Sequence, residues 1–73
     1  MRITYDTKAD ALYIGLREGD FAKSREVEPG IVLDVGSNDE LLGIEIIDAS
    51  TRLNMSDIAK VSIEMPLNVT EAA

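Results

Sequence analysis

Hydrophobic positions in this chain recur with a period of two, and the clearest case is the stretch from Ile31 to Asp48. Two apolar, β-branched segments there flank Ser37-Asn38-Asp39, residues that tolerate left-handed backbone or hydrogen-bond it locally. The pattern predicts a β-hairpin. With Asn38 and Asp39 at the centre of the turn, Ile31 falls opposite Ile46, Leu33 opposite Ile44 and Val35 opposite Leu42. All six are apolar, so this face belongs to the core. The reverse face pairs Val32 with Glu45 and Asp34 with Gly43, and Ile47 lies on it too, because side chains alternate along a strand. A turn centred on Ser37-Asn38 keeps the same parity and stays open.

The remaining elements follow from the same alternation. Arg2 to Tyr5 reads as a short strand with Ile3 and Tyr5 on one face, ended by turn chemistry at Asp6-Thr7-Lys8. In Ala11 to Arg17, Leu12, Ile14 and Leu16 alternate with Ala11, Tyr13 and Gly15, which favours strand over helix. Glu18-Gly19-Asp20 is a turn, Phe21-Ala22-Lys23 is expected to be irregular or weakly extended, and Ser24 to Glu28 is a polar edge strand stopped by Pro29-Gly30. One or two helical turns are expected around 49–60, with Asp48 capping the first and Ser56 the second. Val61 to Met65 alternates again and predicts a last strand before Pro66. The fold class is therefore α+β: a small, mostly antiparallel sheet of four to five strands with short helical turns. Residues 1–66 form a single domain, followed by a loose tail over 67–73.

A chain of 73 residues is near the size at which one core is marginal, since folding buries only about 60% of the surface. Self-association is the economical remedy, and a homo-oligomer is expected. The chain has no cysteine, so neither disulfides nor thiolate metal sites contribute. No run has the length of a signal-peptide core or a membrane span, and a soluble, cytoplasmic protein without membrane contact is expected.

Charge changes the functional picture more than the rest of the composition does. The net charge is −7 and there is no histidine. Residues 29–73 carry only Arg52 and Lys60 against eight acids, a net of −6, whereas residues 1–28 are close to balance at −1. Such a surface repels phosphates, so direct nucleic-acid binding is disfavoured, while a basic protein partner would be attracted. The acidity also serves plain solubility.

Several short pieces taken together resemble a known family: Tyr5-Asp6, Asp10-Ala11-Leu12-Tyr13-Ile14, Pro29-Gly30-Ile31, Asp34, Gly43-Ile44-Glu45 and Asp48-Ala49-Ser50. In order and spacing they are similar to the short microbial proteins of domain of unknown function 2283, over most of residues 1–53. The resemblance implies a small antiparallel β-rich fold with a little helix and no established activity. It also implies an antitoxin-like partner role, because members look to be encoded at times beside small toxin-like proteins.

The candidate site residues are Asp34, Glu45 and Asp48, with Val32 and Ile47, on or beside the mixed face of the hairpin. Asp34 and Glu45 lie diagonally across the pair, where two carboxylates share a proton or hold a hard cation. Against this stands their reading as solvated residues or as partners of Arg2, Arg17 or Arg52. Asp6, Asp10 and Ser50 are candidate structural polar residues, the two aspartates bonding turn amides and Ser50 a helical turn. Ser50 has no histidine to activate it. No catalytic residue, metal ligand or cofactor is assigned. The leading expectation is a self-associating or protein-binding module, antitoxin-like towards a basic partner. A structural homo-oligomer without separate ligand comes next, and a carboxylate-based metal-dependent hydrolase last. Val32 and Ile47 tip the mixed face towards protein contact.

Overall fold

The computed structural model describes residues 1–66. Five strands form one antiparallel sheet: β1 (Arg2–Asp6), β2 (Ala11–Gly15), β3 (Phe21–Glu28), β4 (Ile31–Gly36) and β5 (Leu41–Ile47), in the order β1-β2-β5-β4-β3. Two single-turn helices follow, α1 (Ala49–Arg52) and α2 (Met55–Ile58). The hairpin β4–β5 supplies two of the three central strands, and each of its members takes a further partner on its other side.

Register carries the apolar pattern across the sheet in two rows. Ile3, Ile14, Ile44 and Leu33 stand side by side in one, and Tyr5, Leu12, Ile46 and Ile31 in the other. The opposite face holds Thr4, Tyr13, Glu45, Val32 and Glu26 in one row and Arg2, Gly15, Gly43, Asp34 and Ser24 in the next. Four hairpin pairs have the predicted register, from Ile31 with Ile46 to Asp34 with Gly43. The pair nearest the turn differs, because Val35 stands opposite Leu41 rather than Leu42, across a bulge between Asp34 and Val35. The connection is longer than a two-residue turn. Gly36 N–H donates to the Glu40 carbonyl at 2.8 Å, the Glu40 carboxylate accepts from Asn38 N–H at 2.9 Å, and Asp39 takes the left-handed conformation at φ 62°. The bulge absorbs the resulting offset, so that Val35 and Leu42 are both buried while Leu41 faces outward.

Of the two alternatives for Phe21-Ala22-Lys23 the extended one holds: the segment starts β3, with Phe21 opposite Gly36 and Lys23 opposite Val35. Two further expectations are corrected. Asp48 precedes α1 in left-handed backbone and its side chain makes no cap bond; α2 is capped by Asn54, whose Oδ1 accepts from Ser56 N–H at 3.0 Å and Ser56 Oγ–H at 2.7 Å. Asn54 competes well because it stands one residue before the helix, where its amide oxygen reaches the free N–H groups. Val61 to Met65 forms no strand and leaves Val61, Ile63 and Met65 more than half exposed. Alternation alone does not make a strand; it also needs a neighbouring backbone, and this segment pairs with none among the described residues. The tail expected at 67–73 lies outside the described residues.

The sheet is covered thinly. Among the described residues the buried hydrophobic side chains are Leu12, Val35, Leu42 and Ala49, Gly36 and Gly43 are buried as backbone, and Ile14, Ile31, Leu33, Ile44 and Ile46 remain half-buried. Between β1 and the chain after α2 lies an open groove of about 510 Å³, walled by Ile3, Tyr5 and Leu12 on one side and Ile58, Val61 and Ile63 on the other. Among the described residues no helix is long and apolar enough to cross a membrane.

Candidate functional site

Two polar clusters stand on the sheet. The first is on the mixed face, where the register sets Asp34 opposite Gly43 and Glu45 opposite Val32. The two carboxyl groups are therefore diagonal neighbours across the β4–β5 pair. Hydrogen bonding to Asp34, followed by burial and the Asp34 charge, raises the Glu45 pKa above its ordinary value. Ser24 on β3 donates its hydroxyl to Asp34 Oδ1 at 2.9 Å, anchoring one side of the pair. Tyr13 stands opposite Glu45 and lays its ring along the sheet over two glycines. A Cβ on Gly43 would fall 2.2 Å from the Tyr13 hydroxyl, and one on Gly15 would fall 3.2 Å from the ring. The result is a shallow polar strip of Tyr13, Glu45, Asp34 and Ser24 beside the apolar Val32.

None of the arginines weighed as partners reaches this strip. The ion pair among the described residues is Lys23 with Asp39 at 3.8 Å, both exposed. Ile47 lies on the same face further along β5, opposite Ala11, and Asp48 stands beyond it at the start of α1, where its carbonyl accepts from Thr51 N–H and Oγ–H. Asp48 is thus not joined to the Asp34–Glu45 pair. Among the described residues no three acidic side chains converge in the way a metal ion requires.

The second cluster is built on Asp10, at the end of the β1–β2 turn with φ 51°. Its Oδ1 accepts from the Tyr5 hydroxyl at 2.6 Å and from Ser50 N–H at 3.0 Å, its Oδ2 accepts from Ser50 Oγ–H at 2.6 Å, and its carbonyl accepts from Ala49 N–H at 2.9 Å. The Ser50 hydroxyl and then the Tyr5 hydroxyl lower the Asp10 pKa, and the same bond, with burial and the nearby Asp10 and Asp6 charges, raises that of Tyr5. Asp6 closes the turn by accepting from Lys8 and Ala9 N–H at 2.9 and 3.1 Å. At the other end of α1, Arg52 donates to the Pro29 carbonyl, and its guanidinium covers Gly30, whose φ of 85° requires glycine. Helix α1 is therefore tied to two turns at once and carries Ala49, with no exposed surface, against the sheet. Residue spacing places Asp10 and Ser50 too far apart for any local pattern to join them. Their shared cluster appears only once the sheet is assembled.

An antiparallel five-stranded sheet fastened to a short helix by an Asp–Tyr–Ser cluster defines the class of protein. The chain belongs to the protein family of unknown function DUF2283, whose pattern it matches over residues 2–50. That span runs from the first residue of β1 to Ser50, the residue that closes the Asp10 cluster. The chain is also similar to a Methanosarcina mazei protein named "Putative hypoxanthine phosphoribosyltransferase", with 35% identity over 52 residues. The match covers 71% of this chain and 42% of that protein, so the chain spans less than half the length of this curated relative. No solved structure matches the chain.

Proposed function

We propose that this protein is a small protein-interaction module that assembles with itself and presents an acidic surface to a basic partner. One observation carries the reading: the sheet has a continuous apolar face that is only partly covered. Sheets are stable when a second layer covers them, and here two single-turn helices are the only helical cover among the described residues, with Leu12, Val35 and Leu42 the residues of that face that reach full burial. Ile14, Leu33, Ile44 and Ile46 are left half-buried in two adjoining rows. A second protein layer would complete the core that this chain starts. The net charge of −6 over residues 29–73 then favours a basic binder, in keeping with the antitoxin-like role implied for the family.

Light scattering at micromolar concentration tests the first clause: a dimer or larger species is expected, and a monomer overturns it. Co-expression with the product of the neighbouring gene tests the second, with a stoichiometric complex that weakens with salt as the expected result. An oligomer indifferent to that product would instead be a structural assembly. A hydrolase role for Asp34 and Glu45 is less well supported, because among the described residues no third acidic side chain joins them, and a divalent cation wants more converging oxygen ligands than two.

A further inference from the structure

The two edges of the sheet differ in a way that selects between them. Strand β3 is the longer edge, but its pairing with β4 is broken by two bulges, and it carries Lys23, Arg25, Glu26 and Glu28. Bulges and charges are the usual means of keeping an edge unpaired. Antiparallel pairing of β3 with its own copy sets like charges together in each alignment centred from Lys23 to Glu26: Lys23 on Lys23, Lys23 on Arg25, Arg25 on Arg25, or Glu26 on Glu26.

Strand β1 is the opposite case. Its five residues pair with β2 without interruption, and among the described residues no backbone hydrogen bond reaches its outer side. A two-fold axis perpendicular to the sheet keeps each face on its own side, so residues of the same parity must meet. Centred on Thr4, that operation sets Thr4 against Thr4, Ile3 against Tyr5 on the apolar face, and Arg2 against Asp6 on the polar face, the last two contacts occurring twice. Arg2 and Asp6 have no ion-pair partner within the described part of one chain, and Asp6 uses only Oδ1 in its turn. Shifting the centre to Ile3 removes both ion pairs, and shifting it to Tyr5 brings Arg2 against Lys8.

We infer that β1 is the self-association edge: two copies join antiparallel about Thr4, giving a continuous ten-stranded sheet whose apolar rows run on across the joint. This names the contact for the self-association proposed above and rests on that reading. The partner is a second copy of this chain, selected by the Arg2–Asp6 complementarity across the axis and by the rejection built into β3.

Because the chain lacks cysteine, single-cysteine variants report the edge cleanly. Residues directly opposite in an antiparallel pair have Cα atoms about 4.5–5.5 Å apart, within disulfide range. Thr4→Cys under mild oxidation is expected to run as a covalent dimer on a non-reducing gel, and Ser24→Cys on β3 as a monomer. Arg2→Asp, an exposed change that circular dichroism should show to be folded, is expected to weaken self-association about tenfold through loss of two ion pairs. A wild-type oligomer in which Thr4→Cys does not cross-link overturns this edge but leaves self-association standing. Cross-linking of Ser24→Cys equal to that of Thr4→Cys also overturns it. A wild-type monomer overturns both readings.

Discussion

At the residue scale, the two carboxyl clusters respond to pH with opposite signs. Asp10 has a lowered pKa in the folded protein, through Ser50 and Tyr5; its contribution is present above the unfolded value and is lost as pH falls through the folded one. Glu45 has a raised pKa through its bond with Asp34; the folded protein holds that proton longer than the unfolded chain does. Its contribution is present below the unfolded value and is lost as pH rises through the folded one. Replacement Glu45→Gln keeps a donor towards Asp34 without a titrating group. Thermal melts should show it a few degrees more stable than the wild type at neutral pH, with the difference shrinking in acid. Asp10→Asn should do the reverse, losing several degrees at neutral pH and little once the pH is below the lowered pKa of the folded Asp10, because the Ser50 and Tyr5 donors no longer meet a charge. Gly43→Ala forces the Tyr13 ring off the sheet and is expected to cost about 1–3 kcal/mol in a denaturant titration. Most of that loss should disappear when Tyr13→Ala is made in the same chain.

At the element scale, the hairpin is the part of the sheet that depends least on its surroundings. Four of its cross-strand pairs follow from apolar parity, and that parity is also what puts Asp34 and Glu45 on one face. The bulge next to Val35 was not legible, because it depends on a four-residue connection stabilised by the Glu40 side chain. The strand predicted at Val61 to Met65 shows the limit from the other direction: its alternation is as regular as that of β2, but β2 has backbone on both sides. Hydrogen exchange should rank the elements accordingly. Amides of β5, β4 and β2 are expected to be the slowest and those of β3 the fastest of the strands. If β1 pairs with its copy, its outer amides slow as concentration rises, whereas those of β3 do not change.

At the scale of the whole molecule, stability and assembly are linked. A sheet whose apolar face is half-covered in one chain gains its remaining burial from a second, so the melting temperature should rise with protein concentration. A concentration-independent melt between about 1 and 100 μM, flanking typical weak-dimer affinities, would show that the single chain is sufficient. The sequence by itself determined the two-residue period, the parity that separates an apolar from a mixed face, and the acidic imbalance, because each is a property of neighbours along the chain. Only the tertiary structure decided that β1 and β3 are the edges, that Asp10 and Ser50 meet across 40 positions, that Tyr13 lies over Gly43, and that Val61 to Met65 finds no strand partner among the described residues. Those outcomes depend on which backbone lies beside which, and strand order is set by the competition of all strands for hydrogen-bonding partners rather than by any one of them.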